Sequence, residues 1–301
     1  MTFVVKLMTN AIVILILMFC ISAYTGQTFF SKLFSLYYKG PDTAATPVYS
    51  TIYCGIAGII ILSLAGFKYE PSFGTVVFGL LNGAILFLYL LSLLYSSRLG
   101  PFSFNSIVLR FGGIVVCLLF AVIYWGDRLT IPQIVGIAIM LVAFVVFNSG
   151  GIDFRSVKKG YVFWVIMLFC SNGLYGVILD AQQRLYSAQR NEMIVTTFLS
   201  AAVMSLIYLL LRERKQTLSC FKMGKASWMT AVGGGISAGF AAFTLMILLA
   251  YIPSYILYTI YNGAVLVLVV ILCRIVLKER ITKMTVAGMA LSVLSIFLLS
   301  L

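Results

Sequence analysis

Apolar runs of about 20 residues recur along the whole chain, and a run of that length crosses the hydrocarbon layer of a bilayer as one helix. They fall near 11–36, 48–66, 73–96, 101–125, 131–148, 161–182, 193–211, 227–250, 253–276 and 284–301. The breaks carry Gly, Pro or charges, as in "YYKGPDTAATP", "GDRLTIP", "SGGIDFRSVKKG" and "LKERITK". With 62% of the 301 residues hydrophobic and 10% charged, the chain has more apolar surface than a soluble core can bury. The expected fold is an all-α integral membrane protein with ten transmembrane helices. The first run reads as a membrane helix rather than a removable signal peptide, because no small-residue cleavage site follows it. The fifth, seventh and tenth runs are short and should cross with little tilt. The longest loop, about residues 212–226, is too short to bury a core of its own.

The remaining composition excludes several function classes. The 21 Lys and Arg outnumber the 8 Asp and Glu, but they sit mainly in loops and form no basic run with interleaved aromatics. They read as orientation signals against the membrane, so nucleic acid is not an expected partner. Histidine is absent, which removes the commonest metal ligand and the usual near-neutral proton carrier. Cys20, Cys54, Cys117, Cys170, Cys220 and Cys273 form no C-x-x-C pair and mostly lie in apolar runs, as small buried hydrophobes do. No metal and no cofactor are expected. No nucleophile stands beside a plausible base, so enzymatic chemistry is not expected either.

The chain repeats itself. At a shift of 152 residues "GPFSFNSIVLRFGG" lies on "IPSYILYTIYNGAV", with Pro101 on Pro253. Without a gap, Asp127-Arg128-Leu129-Thr130 then meets Glu279-Arg280-Ile281-Thr282, and Gly136 meets Gly288. At a shift of 150, Phe19, Cys20 and Gly26 meet Phe169, Cys170 and Gly176. Two units follow, 1–150 and 151–301, each of five helices. Because five is odd, the second unit enters the membrane from the opposite side. Two five-helix inverted-topology repeats are a hallmark of transporters that alternate access about a midplane site.

On these residues the chain resembles the ten-helix, EamA-type members of the drug/metabolite transporter superfamily over its whole length. The most specific residues are the two acidic-Arg-aliphatic-Thr turns, each followed by Gly136 or Gly288. The family commonly has Trp-Gly in the first helix of each repeat; here Tyr24 and Tyr175 stand near Gly26 and Gly176. The resemblance implies a secondary transporter with its termini on the cytoplasmic side.

Arg110 is the candidate of greatest interest. It stands about nine residues into the fourth segment, near mid-depth, where an arginine costs about 2.5–3.5 kcal/mol on insertion scales. Snorkelling accounts for Lys32, Arg98 and Arg274 near segment ends, but Arg110 is too deep for it. A structural ion pair is the other bland explanation, and Asp180 is the nearest candidate acid by depth. Ser103, Ser106 and Arg110 share one helical face, and the repeat maps them onto Tyr255, Tyr258 and Asn262. Two matched polar stripes cannot face lipid cheaply, so both should face the interior. Interhelical hydrogen bonding explains single such residues better than two stripes. The first and sixth segments add Ser22, Thr25, Asn172 and Tyr175; the third adds Asn82, Tyr89 and Ser92. The candidate substrate-binding set is therefore Arg110, Asn262, Tyr258, Tyr255, Ser106, Asn82, Tyr89, Asn172 and Tyr175. Gly233-Gly234-Gly235 and Gly239 read as close helix packing, and Asp127 and Glu279 as caps or loop ion pairs.

The reading that results is a secondary transporter of a small metabolite, carboxylate-bearing such as an amino acid or organic anion, taken up or exported through a central cavity. The alternatives are an exporter of cationic drugs or quaternary amines with a tyrosine-lined site, and a non-transporting partner or sensor subunit. The expected partners are the small-molecule substrate and the lipid bilayer, with a monomer compatible with the sequence. The expected location is a bacterial plasma (inner) membrane. Five Lys and Arg lie on the face of the termini (Lys6, Lys68, Arg128, Arg184 and Arg190) and fifteen on the opposite face. The positive-inside rule then puts both termini outside, against the family expectation.

Overall fold

The computed structural model describes residues 2–99, 102–148, 159–213, 217–276 and 282–299, with the side chains of 2–10, 97–98, 102–104, 106–107 and 147–148 left out. Among the described residues the chain is helical, without a strand. The helices are α1 (Thr2–Tyr37), α2 (Asp42–Leu64), α3 (Phe73–Leu99), α4 (Phe102–Phe111), α5 (Cys117–Ile123), α6 (Ile131–Asn148), α7 (Tyr161–Leu185), α8 (Arg190–Arg212), α9 (Thr217–Cys220), α10 (Lys225–Leu248), α11 (Ser254–Val276) and α12 (Lys283–Leu299). A π-helical turn, Gly112–Val116, joins α4 to α5. Seven helices are long and apolar enough to cross a membrane, and three shorter apolar helices, Val108–Ile123, Ile131–Val146 and Lys283–Leu299, accompany them. This is an integral membrane protein.

Two expectations about the segments change. The fourth is not one continuous α-helix, because the π turn interrupts it at mid-length. The seventh is not short: α8 begins at Arg190, where a polar first turn, "RNE", extends the helix beyond its apolar run.

Large apolar side chains such as Leu15, Phe73, Ile123 and Ile131 point outward. In a soluble protein that surface would aggregate; in lipid it is the solvated one. Lipid tails are as apolar as leucine, so helix association rests on close packing and interhelical hydrogen bonds. Both are present. A Cβ on Gly235 would stand 2.7 Å from Ile56 Cβ, and one on Gly239 2.8 Å from Ile60 Cβ, so α10 lies hard against α2. Ser50 Oγ donates to Ser205 Oγ at 3.0 Å between α2 and α8, and Ser295 Oγ donates to Gly136 O at 2.6 Å between α12 and α6. Tyr95 and Tyr208 share a hydrogen bond of 2.6 Å between α3 and α8. The main packed pairs are α1 with α10 and α11, α2 with α8 and α10, α3 with α7 and α8, α6 with α12, and α7 with α4 and the π turn.

Candidate functional site

The π turn positions Arg110. Gly112 and Gly173 bring α4 and α7 into backbone contact: a Cβ on Gly112 would strike the carbonyl oxygen of Phe169, and one on Gly173 would meet Val116 and Gly112 O. A π turn changes the hydrogen-bond register from i→i+4 to i→i+5 and frees backbone groups locally. At that place Asn172 Nδ2 donates to Leu109 O at 2.7 Å. Asn172 therefore fastens α7 to the deformed turn; it is a helix-to-helix hydrogen bond and not a free amide.

Arg110 closes the last turn of α4. Its Nη1 donates to Asn262 O at 3.1 Å and to Asn262 Oδ1 at 3.2 Å. Asn262 Nδ2 in turn donates to Tyr258 O at 2.8 Å, which holds the amide oxygen toward the guanidinium. The guanidinium carbon lies 5.6 Å from the centre of the Phe144 ring. Arg110 Nε is buried and has no hydrogen-bond partner. Among the described residues no carboxylate forms an ion pair with it. Asp180, the acid considered for that role, pairs with Arg184 instead. Among the described residues the charge is therefore met by neutral oxygens and a ring face.

Tyrosines from several helices gather around this group. Tyr24 stacks on Tyr261 at 4.8 Å and 15°, and Tyr261 meets Tyr258 edge-on at 5.7 Å. Tyr258 Oη donates to Gly176 O at 3.2 Å, bridging α11 to α7. Tyr49 stacks on Tyr53 at 5.1 Å, and Tyr53 meets Phe198 edge-on. Tyr89 and Tyr261 lie within electrostatic reach of Arg110. Tyr175 stands in the same way to Tyr24, Tyr53 and Tyr261. Tyr24, Tyr89, Tyr175 and Tyr261, in the middle parts of their helices, and Arg110, at the end of α4, remain half-buried.

The other expected residues divide. Tyr258, Asn262, Tyr89 and Tyr175 belong to this cluster. Tyr255 is buried in a separate apolar cluster with Ile114, Met140 and Phe144, one turn beyond Tyr258. Asn82 is fully buried and neither its oxygen nor its nitrogen has a partner. It lies two turns along α3 from Tyr89, beside Gly83, whose missing Cβ admits Ser200 and Thr197 of α8. Thr25 donates to Ile21 O, and Ser22, on the outer surface, to Met18 O; both satisfy their own helix. The side chains of Ser103 and Ser106, and the whole of Pro101 and Glu279, lie outside the described residues. Tyr261 and Tyr24 were not expected in the site. Their positions in the repeat register, Leu109 and Leu174, are apolar, and an aromatic within an apolar run raises no polar signal.

A second polar group stands where α5, α7 and α11 meet on the face of the α5–α6 turn. Gly126 takes a left-handed conformation (φ 70°) there, which reverses the chain and presents Asp127. Arg184 donates to Asp127 from Nη1 at 3.2 Å and from Nη2 at 2.7 Å, and lies 5.0 Å from the Trp125 ring centre. Its Nε is 3.2 Å from Asp180 Oδ2. Asp127 thus pairs across to α7 rather than with its neighbour Arg128. Nearby, Gln182 Nε2 donates to Tyr186 O at 3.1 Å.

The sequence model of the EamA-like transporter family matches residues 159–301. A crystal structure of another protein superposes with a TM-score of 0.74 at 18% identity, over 92% of this chain and 94% of that one. At that identity the likeness speaks for the fold alone. No curated protein matches the chain.

Proposed function

Because the chain belongs to the drug/metabolite transporter superfamily through its EamA-like second half, residues 159–301, we propose that it carries a small anionic metabolite across the membrane by alternating access. In this reading ten helices form two inverted repeats, 1–150 and 151–301. The packing supports it. Exchange each helix with its repeat mate and the set of packed pairs survives: α1–α10 becomes α7–α3, α2–α10 becomes α8–α3, α1–α11 becomes α7 with α4 and the π turn, and α2–α8 and α6–α12 map onto themselves. The close approaches follow. Gly83 meets Thr197 O and Ser200; its mate Gly235 meets Tyr53 O and Ile56.

The observation that carries the substrate class is Arg110. A guanidinium at mid-membrane without an acidic partner, with one N–H unmatched, is compensated best by an anion. Asn262 and Tyr258 supply further polar groups, and Tyr24, Tyr89, Tyr175 and Tyr261 an aromatic wall. The same tyrosine faces suit an organic cation, but Arg110 within the cluster repels one. Uptake and efflux in proteoliposomes across amino acids, organic acids and quaternary amines test the reading. We expect an acid to be carried, Arg110→Ala to abolish its transport at unchanged expression, and Arg110→Lys to recover little, since a point charge does not reproduce a planar fork. Normal transport by Arg110→Ala sinks the anion reading.

A further inference from the structure

Asp180 is a carboxylate on a membrane-spanning helix, and only 4% of the residue is exposed. The groups that face it come from three elements. Arg184 of its own helix holds it by one contact at 3.2 Å. Asp127, from the turn after α5, shares that guanidinium and takes two of its hydrogen bonds. Cys117 of α5 and Tyr258 of α11 lie within its field, and Tyr255 of α11 within that of Arg184 and Asp127. Two carboxylates therefore share one cation and leave one negative charge. Beside Asp180, at the start of α11, stands Ser254, a residue 1% exposed whose hydroxyl faces the Asp180 carboxyl group; Gln183 Oε1, one turn along α7, is buried and unpaired.

We propose that Asp180 is a proton-binding site linked electrostatically to Arg110, so that an anion and a proton cross together. The proposal rests on the reading of Arg110 as the anion's anchor. The step is simple: the Asp180 carboxylate accepts a proton from water on one side, and the acid returns it to water on the side where the anion leaves. The Arg184–Asp127 pair lies on the outer part of the cluster, with side chains 31% and 21% exposed, on the path of that proton. Ser254 and Asn262 are eight residues apart on α11, so the two charge centres are about 12 Å apart. At an effective dielectric constant of about 20, unit charges at that distance change each other's binding by roughly tenfold. Linkage makes the effect reciprocal. An anion bound at Arg110 makes the surroundings of Asp180 more negative and strengthens its hold on the proton.

Trp125, under the Arg184 guanidinium, is a reporter that needs no substrate. In a Trp164→Phe, Trp228→Phe background, Trp125 emission is followed from about pH 4 to about pH 9, a range spanning shifted carboxylates. We expect a titration that persists in Asp127→Asn and disappears in Asp180→Asn. Arg110→Gln removes a positive charge and should move the midpoint up by about one pH unit, without any ligand, from the same Coulomb estimate. That second variant keeps the test decisive if Asp180→Asn folds poorly. No titration, one that survives Asp180→Asn, or a midpoint unmoved by Arg110→Gln overturns the proposal. If uptake of an acid depends on Arg110 while Trp125 does not titrate, the proton site falls and the anchor stands. If the midpoint shifts but no anion is carried, the anchor falls, and coupled entry with it.

Discussion

Arg110 and Asn262 are 152 residues apart, the offset of the repeat, and they bond to each other. In the proposed pair of inverted repeats, residues that touch their own mates lie on the axis relating the halves, and Arg110 would fall on that axis. Two predictions belong at this scale. Asn262→Ala removes the Oδ1 acceptor but keeps the backbone one; substrate affinity should fall by about tenfold, the worth of roughly one hydrogen bond, while transport persists. Tyr258→Phe removes the bond to Gly176 O and should lower stability by about 1 kcal/mol, seen as a lower thermal midpoint in detergent. An unchanged midpoint would mean that the hydroxyl serves the substrate and not the helix pair. The polar residues of this site were legible in the sequence, because charge and amide groups stand out in an apolar run and the repeat sets their direction. Tyr255 and Asn172 share those directions yet serve other contacts. Helical spacing gives an angle about the helix axis, whereas depth and neighbours come from how helices cross.

Among the elements, the fourth segment differs most from its sequence pattern. Nothing in "RFGGIVV" distinguishes a π turn from a continuous helix. The deformation follows from the crossing of α4 with α7 at Gly112 and Gly173, a tertiary cause. Gly112→Ala should therefore be costly: its Cβ would meet the backbone carbonyl of Phe169, which has no rotamer with which to yield. We expect a loss of about 1–3 kcal/mol or more, read as a lower thermal midpoint and lower yield of monodisperse protein. Gly55→Ala on α2 is the control. Nothing stands within 4 Å of its added Cβ, and the change should leave stability level or raise it by up to about 1 kcal/mol. The apolar helices, seven long and three shorter, were legible because about 20 apolar residues in succession have few other uses. The early start of α8 was not, since its first turn is polar and its helical state owes nothing to the apolar run.

At the scale of the molecule, the proposed ten crossings would put both termini on one face and the loop between α8 and α10 on the other. Alkaline phosphatase and fluorescent-protein fusions at Leu301 and at Lys222, made in a bacterial host, should report opposite compartments. The charge count predicts phosphatase activity at Leu301 and fluorescence at Lys222. The same compartment for both would overturn the even number of crossings; the reverse assignment would overturn only the orientation. The π turn has a further consequence here. From Pro101 to Gly136 and from Pro253 to Gly288 the chain spends the same number of residues, so the wider turn is not an insertion. It behaves as a dislocation does in a crystal. Rows of atoms register with their counterparts up to the fault, and beyond it α5 is out of phase with the corresponding stretch of α11. A dislocated row slips more readily than a perfect one, and this fault begins two residues after Arg110.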